Sequence, residues 1–135
     1  MVCTKELDAE VLTGIVNTIV DAARDVHRGL GPGMLETAYE TCMTFELMDR
    51  GLHVERQRPL PVVYRKIRLD YGYRLDLLVE DAVVVEIKAV DALLKIHEDQ
   101  LLSYLRISRC TRGLLINFSA KDLDDGIIEV VDKMP

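Results

Sequence analysis

The sequence lacks any apolar run long enough to cross a membrane, since charged side chains interrupt every stretch of about 18 residues. Its start, "MVCTKELDAEVL", carries acidic side chains where a secretory signal peptide has a basic beginning and a continuous apolar segment. Tandem repeats, linkers and low-complexity stretches are also missing, and 135 residues suit one folded unit. We therefore predict a single domain over residues 1–135, with neither a membrane-spanning helix nor a signal peptide.

Cysteine is scarce in this chain. The three cysteines, Cys3, Cys42 and Cys110, are far apart and odd in number. None of the short spacings that are typical of zinc ligands is present. Because disulfides are rare in reducing compartments, we interpret all three residues as reduced thiols and predict a cytoplasmic protein.

Basic residues are outnumbered, with 17 Lys and Arg against 23 Asp and Glu and a net charge of −6, which argues against a nonspecific nucleic-acid coat. Residues 50–74 are the exception, with seven basic and two acidic side chains. Two interpretations fit them: a solvated edge strand protected against aggregation, or a surface that faces phosphates. The side chains that would contact phosphates are Arg56, Arg58, Arg65, Lys66, Arg68 and Arg74.

The spacing of apolar residues divides the chain into helices and strands. Helical periodicity predicts helices over about 4–27, 34–50 and 95–108. Between 52 and 90 the composition is β-branched and aromatic, which predicts strands with turns near 65–66, 70–72 and 80–81. "RGLLINFS" predicts a further strand and "GIIEVV" a weaker final one. The order ααβββαβ, with a possible final strand, predicts an α/β domain.

Asp76, Glu86 and Lys88 lie inside the two apolar runs on either side of the predicted turn in residues 74–90. A buried charge costs several kcal/mol unless it is paired or bound to a metal. A connection over 80–82 places Asp76 opposite Glu86, whereas a two-residue turn at 80–81 places it opposite Val85. If the acids meet, Mg²⁺, with Mn²⁺ as a substitute, fits them, and the Ile87 carbonyl could add a ligand. A cross-strand ion pair is the alternative.

The predicted third helix carries a polar stripe beside its apolar one. Gln100 and Tyr104 are four residues apart and share a face, and His97 precedes Gln100 by three residues. The stripe is either an ordinary polar face or a set of donors directed at a phosphate. His97 alone is more typical of a structural or surface histidine.

An acid in one strand, Glu-x-Lys in the next and Gln-x-x-x-Tyr on the following helix resemble the PD-(D/E)XK nuclease superfamily, particularly its RecB-like branch. Gly33, Glu36 and Tyr39 in "GPGMLETAYE" resemble the motif of its GxxExxY family of predicted nucleases. "GYRLDLLVED", "VVVEIKAV", "HEDQLLSYLR" and "GLLINF" are similar to that family's other blocks, so the resemblance spans about residues 15–131. It implies a restriction-endonuclease-like core, with a mixed β-sheet flanked by helices.

The resemblance also implies roles for individual residues. Asp76 and Glu86 would be metal ligands and Lys88 the catalytic lysine. Gln100 and Tyr104 would position the substrate phosphate and the lysine.

Glu36 resembles the helix carboxylate that lies near the metal or its water in such folds. An early-turn Glu also suits the helix dipole, so this residue has a structural alternative. Residues 35, 38, 39, 42 and 45 form the predicted apolar stripe of the second helix, so Tyr39 has a core role as its alternative.

The implied function is that of a Mg²⁺-dependent nuclease, a hydrolase of phosphodiester bonds with nucleic acid, DNA rather than RNA, as substrate. The alternative is a catalytically silent nuclease-fold module that binds nucleic acid or a partner protein. The net charge of −6 favours the alternative, whereas the intact Asp/Glu/Lys set favours the enzyme. A homodimer is compatible with either, because so small a domain offers little footprint on a duplex.

Overall fold

The protein has a central β-sheet with helices on both faces. The structure is a computed structural model that describes residues 2–70 and 72–133. The helices are α1 (Ala9–Leu30), α2 (Glu36–Asp49) and α3 (Lys95–Ser108), and a 3₁₀ turn covers Leu123–Gly126. The strands are β1 (Val54–Pro59), β2 (Val62–Tyr64), β3 (Ile67–Leu69), β4 (Arg74–Val79), β5 (Val83–Lys88), β6 (Arg112–Asn117) and β7 (Ile127–Val131).

The main sheet has the strand order β1-β4-β5-β6-β7. Its β5–β6 pair is parallel and its other pairs are antiparallel, with α3 as the crossover between β5 and β6. The predicted α/β class with a mixed, helix-flanked sheet is therefore confirmed. None of the α-helices in the described ranges combines the length and apolar composition that a membrane span requires.

Residues 54–88 form five strands, although the sequence predicted three. The extra pair, β2 and β3, makes a separate two-stranded sheet, while β1, β4 and β5 belong to the main sheet. Its turn lies at the predicted position, with Arg65 in the left-handed region at φ 54°. The turn predicted near 70–72 includes residue 71, which lies outside the described residues.

The β4–β5 hairpin adopts one of the two registers that the sequence left open. Val79 pairs with Val83 and Leu77 with Val85, so residues 80–82 form a three-residue connection. Glu80 and Asp81 have left-handed φ angles of 55° and 51° there. This register brings Asp76 and Glu86 to the same level at the open end of the hairpin.

The predicted start of the first helix was wrong. Helix α1 begins at Ala9 instead of residue 4, because the Asp8 side chain caps it by accepting a hydrogen bond of 2.9 Å from the Val11 amide. The preceding segment lies against α3, and the Val2 and Cys3 amides donate to the Ser108 carbonyl.

The prediction that all three cysteines are reduced thiols was also wrong. Cys3 and Cys110 form a disulfide, while Cys42 is free. The fold brings their Cα atoms to 5.1 Å although 107 residues separate them in sequence. Local spacing carries no signal for such a pair.

The core has two layers. Side chains of α1 and α2 pack on one face of the main sheet, and α3 with the N-terminal segment packs on the other. The predicted stripe of α2 was wrong in part: Tyr39 is buried, but Leu35 and Phe45 are 77% and 65% exposed. The buried residues of α2 are Tyr39, Glu40, Met43 and Leu47, at spacings close to one helical turn.

Tyr39 is a core residue. Its ring stacks on Phe118 with the centroids 4.5 Å apart. Its hydroxyl donates to the Gly31 carbonyl at 2.6 Å and accepts from the Met34 amide at 3.1 Å. Tyr39 thereby closes the α1–α2 loop, in which Gly33 adopts a φ of 104° that a side chain would strain. This loop sets the start of α2.

Candidate active site

The two acids of the hairpin occupy the gap where β4 and β5 stop pairing. The regular β4–β5 pairing ends at Leu77 and Val85. Beyond it, the Asp76 amide donates to Glu86 Oε2 at 3.1 Å, and the Ile87 amide donates to Asp76 Oδ2 at 2.8 Å. Because each carboxylate accepts a bond from the other strand, the two acids lie side by side.

Burial sets the electrostatics of this pair. Glu86 is only 6% exposed. Desolvation raises the pKa of Glu86 well above its ordinary value, and the neighbouring Asp76 carboxylate raises it further. Lys88 is close enough for its positive charge to lower the pKa of Glu86, which opposes both effects. The pKa of Glu86 stays raised, so Lys88 offsets the burial and the second acid only in part.

The exit of β5 is held by two side chains from other elements. Glu36, the first residue of α2, is exposed and accepts a hydrogen bond of 3.1 Å from the Ala89 amide. Asn117 accepts from the Val90 amide at 3.1 Å and donates to the Val90 carbonyl at 2.9 Å. These contacts fix the backbone that follows Lys88. The sequence analysis missed Asn117, which is buried in an apolar strand. A lone polar side chain in such a strand could have identified it as a candidate site residue.

The polar stripe of α3 includes Gln100 and Tyr104, and Tyr104 is near enough to the acids to be affected by their charge. Gln100 Nε2 donates to the Tyr104 hydroxyl at 3.0 Å. Burial raises the pKa of Tyr104, and the charge of the nearby Glu86 raises it further. His97 caps the start of α3, where its Nδ1 accepts a hydrogen bond of 2.9 Å from the Leu94 amide.

The basic segment is divided between a cleft and a turn. A cleft of about 600 Å³ between the main sheet and the β2–β3 pair contains Tyr73 in its wall, and the Tyr73 ring meets the Tyr104 ring edge-on at 6.4 Å. Arg65 and Lys66 lie in the β2–β3 turn, where the Arg65 guanidinium lies over the Tyr64 ring. The basic residues of the cleft wall are Arg56, Arg58, Arg68 and Arg74.

These cleft arginines already have acceptors within the protein. Arg58 pairs with Glu55 at 2.8 Å, and Arg68 pairs with Asp70 at 2.9 Å. Both pairs are partly or largely exposed, and exposed ion pairs contribute only about 0–1 kcal/mol to stability. Their charge is available at the surface.

Two further residues belong to the site and were missed in the sequence. Glu40 is 6% exposed, and it accepts from Gln57 Nε2 at 2.5 Å and from Arg56 Nη2 at 3.0 Å. Gln57 Nε2 also lies 3.4 Å from Asp76 Oδ1. Glu40 follows Glu36 by four residues, so the helical repeat was a usable signal. Gln57 has no local signal.

A second acidic group lies at the opposite end of the hairpin. Ligand atoms of His53, Glu55 and Asp81 lie within 4.8 Å of one another, which makes this group a possible cation site among the described residues. Glu55 is already paired with Arg58, and the Asp81 carboxylate lies 4.0 Å from Lys5. These acids thus have positive charge beside them.

The donor set at the open end of the hairpin fits a divalent cation. Asp76 and Glu86 offer hard oxygen atoms, and the burial of Glu86 beside a second carboxylate is costly without compensating charge. Ile87 contributes its amide to Asp76 in this arrangement. Asp76 and Glu86 are the residues that could hold Mg²⁺ or Mn²⁺.

Comparison with known proteins places the chain in a family. A sequence model of the PD-(D/E)XK nuclease superfamily matches residues 13–130, which is most of the chain. Neither the curated proteins nor the solved structures contain a significant match. The matched segment includes every residue described above at the open end of the hairpin.

Proposed function

The chain belongs to the PD-(D/E)XK nuclease superfamily, and from this membership we propose that it is a Mg²⁺-dependent nuclease that hydrolyses phosphodiester bonds, in DNA rather than RNA. The observation that carries the proposal is the position of Asp76 beside Glu86, where each carboxylate accepts a hydrogen bond from the opposite strand. Lys88 lies two residues farther along β5. Burying Glu86 beside a second acid is costly to a sheet, and metal binding gives a reason for it.

Asp76 and Glu86 would hold the cation, and the Ile87 carbonyl is a further proposed ligand. When bound, Mg²⁺ supplies Lewis-acid activation of a phosphoryl oxygen. Lys88 would orient the attacking water and stabilise the negative charge that develops on the phosphate. Hydrolysis would form a bond from the water oxygen to phosphorus and break the bond to the 3′ oxygen, leaving 5′-phosphate and 3′-hydroxyl ends.

Glu36, Gln100 and Tyr104 would complete the catalytic set. Glu36 holds the Ala89 amide and thus the backbone directly after Lys88, which suits a role beside the metal or its water. The Gln100–Tyr104 pair presents donors next to Glu86, where the substrate phosphate would lie. His97 was predicted in the same role, but its Nδ1 bond to the Leu94 amide supports a capping role instead.

The nucleic acid would run through the basic cleft. The support is the contact of Tyr73, in the cleft wall, with Tyr104, whose pKa is raised by the charge of Glu86. Arg65 and Lys66 on the β2–β3 turn would contact the backbone farther out. Phosphates would replace Glu55 and Asp70 as partners of the cleft arginines, since exposed ion pairs exchange at little cost.

We also propose membership of the GxxExxY family and of the RecB-like branch. The support is the contact of Tyr39 with the loop that holds Gly33 and the contact of Glu36 with the end of β5. One domain over residues 1–135, a homodimer and a cytoplasmic location stay predictions as well. The Cys3–Cys110 disulfide removes the thiol argument for that location.

The second candidate is a catalytically silent module that binds nucleic acid or a partner protein. The net charge of −6 and the paired state of Arg58 and Arg68 favour it. Both functions predict a binding surface, but only the enzyme requires Lys88.

A cleavage screen distinguishes the two functions. Single- and double-stranded DNA and RNA would be incubated with the protein and Mg²⁺ or Mn²⁺, and Lys88→Ala would be the control. We expect cleavage of a DNA substrate by the wild type and none by the variant. A metal-dependent rise in melting temperature without cleavage of any substrate would favour the silent module.

A further inference from the structure

Gln57 has an unusual backbone for its place in the sheet. Its φ is 51°, although it lies inside β1. The other described non-glycine residues with left-handed φ angles lie in turns or at the end of α3. Such a conformation persists in a strand only where the surroundings fix it, and it is enriched at functional sites.

Hydrogen bonds hold both the backbone and the side chain of Gln57. Its carbonyl accepts a hydrogen bond of 3.3 Å from Arg74 Nη1, and its side chain reaches Glu40 at 2.5 Å. The pairs on either side, Arg56 with Leu77 and Arg58 with Leu75, remain in register. The irregularity is therefore confined to the level of Asp76, which lies opposite Gln57.

Glu40 determines the orientation of the Gln57 side-chain amide next to Asp76. A carboxylate only accepts hydrogen bonds, so the Gln57 nitrogen must point toward Glu40. The same nitrogen then lies 3.4 Å from Asp76 Oδ1. Arg56 balances the charge of the buried Glu40 through its other oxygen at 3.0 Å.

We propose that Glu40 and Gln57 are positioning residues that hold the Asp76 carboxylate in the orientation needed to bind the divalent cation. The Gln57 side chain, on β1, holds Asp76 Oδ1, while the Ile87 amide, on β5, holds Asp76 Oδ2. With both oxygens held, Asp76 keeps one rotamer before the cation arrives, and less ordering is left to the binding step. This inference rests on the proposed metal site, because it assigns Asp76 a ligand role.

The test measures Mn²⁺ affinity by calorimetry and melting temperature without metal, so it does not depend on cleavage. Gln57→Met keeps the length and the backbone conformation but removes the donor. We expect the Mn²⁺ dissociation constant to rise about 10- to 100-fold, the usual effect of losing a partner of a metal ligand. Glu40→Leu should weaken Mn²⁺ binding similarly. Glu40→Gln should keep most of the affinity, since its carbonyl can still accept from Gln57.

Two glycine variants separate the side chain from backbone strain. Gln57→Gly relieves the left-handed conformation and should fold even if Gln57→Met does not, yet it should show the same loss of Mn²⁺ affinity. Arg109→Gly is the matched control, because Arg109 also has a left-handed φ of 65° but lies at the end of α3. It should bind Mn²⁺ as the wild type does.

The outcomes separate this inference from the proposed function. Unchanged Mn²⁺ affinity in Gln57→Met and Gln57→Gly, with a wild-type site that depends on Asp76, would leave the metal site intact and overturn the positioning role. A lower melting temperature alone would mean that Glu40 and Gln57 only tie α2 to the sheet. If Asp76→Asn binds Mn²⁺ as well as the wild type, the metal site and the positioning role both fail.

Discussion

The two ends of the β4–β5 hairpin both collect acidic side chains, but they differ in burial and in neighbouring charge. At the open end, Glu86 is buried and lies beside Asp76, and both acids accept bonds from strand amides. At the connection, Glu55 and Asp81 are half-buried and have Arg58 and Lys5 as partners. The acids of the connection have basic partners within the protein, whereas at the open end Lys88 only partly offsets the burial of Glu86 and its repulsion from Asp76.

The largest effect should come from removing one acid at the open end. Asp76→Asn should abolish cleavage and the metal-induced rise in melting temperature, with Mn²⁺ affinity falling by more than about 100-fold. Without metal, the variant should be at least as stable as the wild type, because one of two repelling charges is gone.

Asp81→Asn is the matched change at the other end of the hairpin, and we expect it to keep both the cleavage and the metal response. If Asp81→Asn, and not Asp76→Asn, removes the metal response, the cation binds at the connection and the comparison must be reversed.

Lys88→Ala should separate catalysis from metal binding. Cleavage should fall by about 10²- to 10³-fold or more, the usual cost of losing a group that stabilises transition-state charge. Mn²⁺ affinity measured by calorimetry should be kept or improved, because a positive charge next to Glu86 is gone. A parallel loss of Mn²⁺ affinity would mean that Lys88 maintains the site and is not a catalytic group.

The two ends should also respond to pH with opposite signs in the metal-free protein. The pKa of Glu86 is raised by burial above the ordinary 4.5, so the folded state binds this proton more tightly. Its contribution to stability is present at low pH and is lost as pH rises from 4.5 through the raised pKa. Glu86→Gln should therefore melt higher than the wild type near neutral pH, by about 3–5 °C for each 1 kcal/mol.

Glu55 should behave in the opposite way. The hydrogen bond from Arg58 lowers the pKa of Glu55 below the ordinary 4.5, so its contribution is present above 4.5 and is lost as pH falls through the lowered pKa. Glu55→Gln should melt lower than the wild type near neutral pH, and the difference should shrink in acid. Melting curves measured in chelator across the pH range check both signs. Parallel curves for the two variants would remove the electrostatic contrast.

The smallest effect concerns the basic cleft. Neutralising Arg58 and Arg68 together should weaken binding of duplex DNA several-fold and reduce the slope of log K against log salt by about 1.8, or about 0.9 for each phosphate contact. The metal-induced rise in melting temperature should not change. Arg24→Ala with Arg28→Ala on α1 is the matched control, since both residues also pair with acids. Equal slopes for the two double variants would place the nucleic acid elsewhere.

Helices and strands were predictable wherever one periodic pattern served one buried face. The third helix was predicted over 95–108, and α3 covers Lys95–Ser108. In α2 the apolar residues mark the buried face only in part, since Phe45 is exposed and Glu40 is buried. A pattern of apolar residues predicts the buried side only when polar residues stay out of it.

The sequence by itself determined which residue types stand in which strands and helices: two acids and a lysine in an apolar hairpin, and Gln100 with Tyr104 on one helical face. These features depend on the 2-residue and 3.6-residue repeats of the backbone, which act over a few residues. The α/β class follows from the same repeats.

Only the tertiary structure decided the register that sets Asp76 beside Glu86, the reach of Gln57 to both Glu40 and Asp76, and the Cys3–Cys110 disulfide. Each of these contacts joins residues from different elements, so it depends on how whole elements pack and not on local spacing. A shift of one residue in the hairpin would have moved Asp76 to the other face, which is why packing and not pattern settles the site.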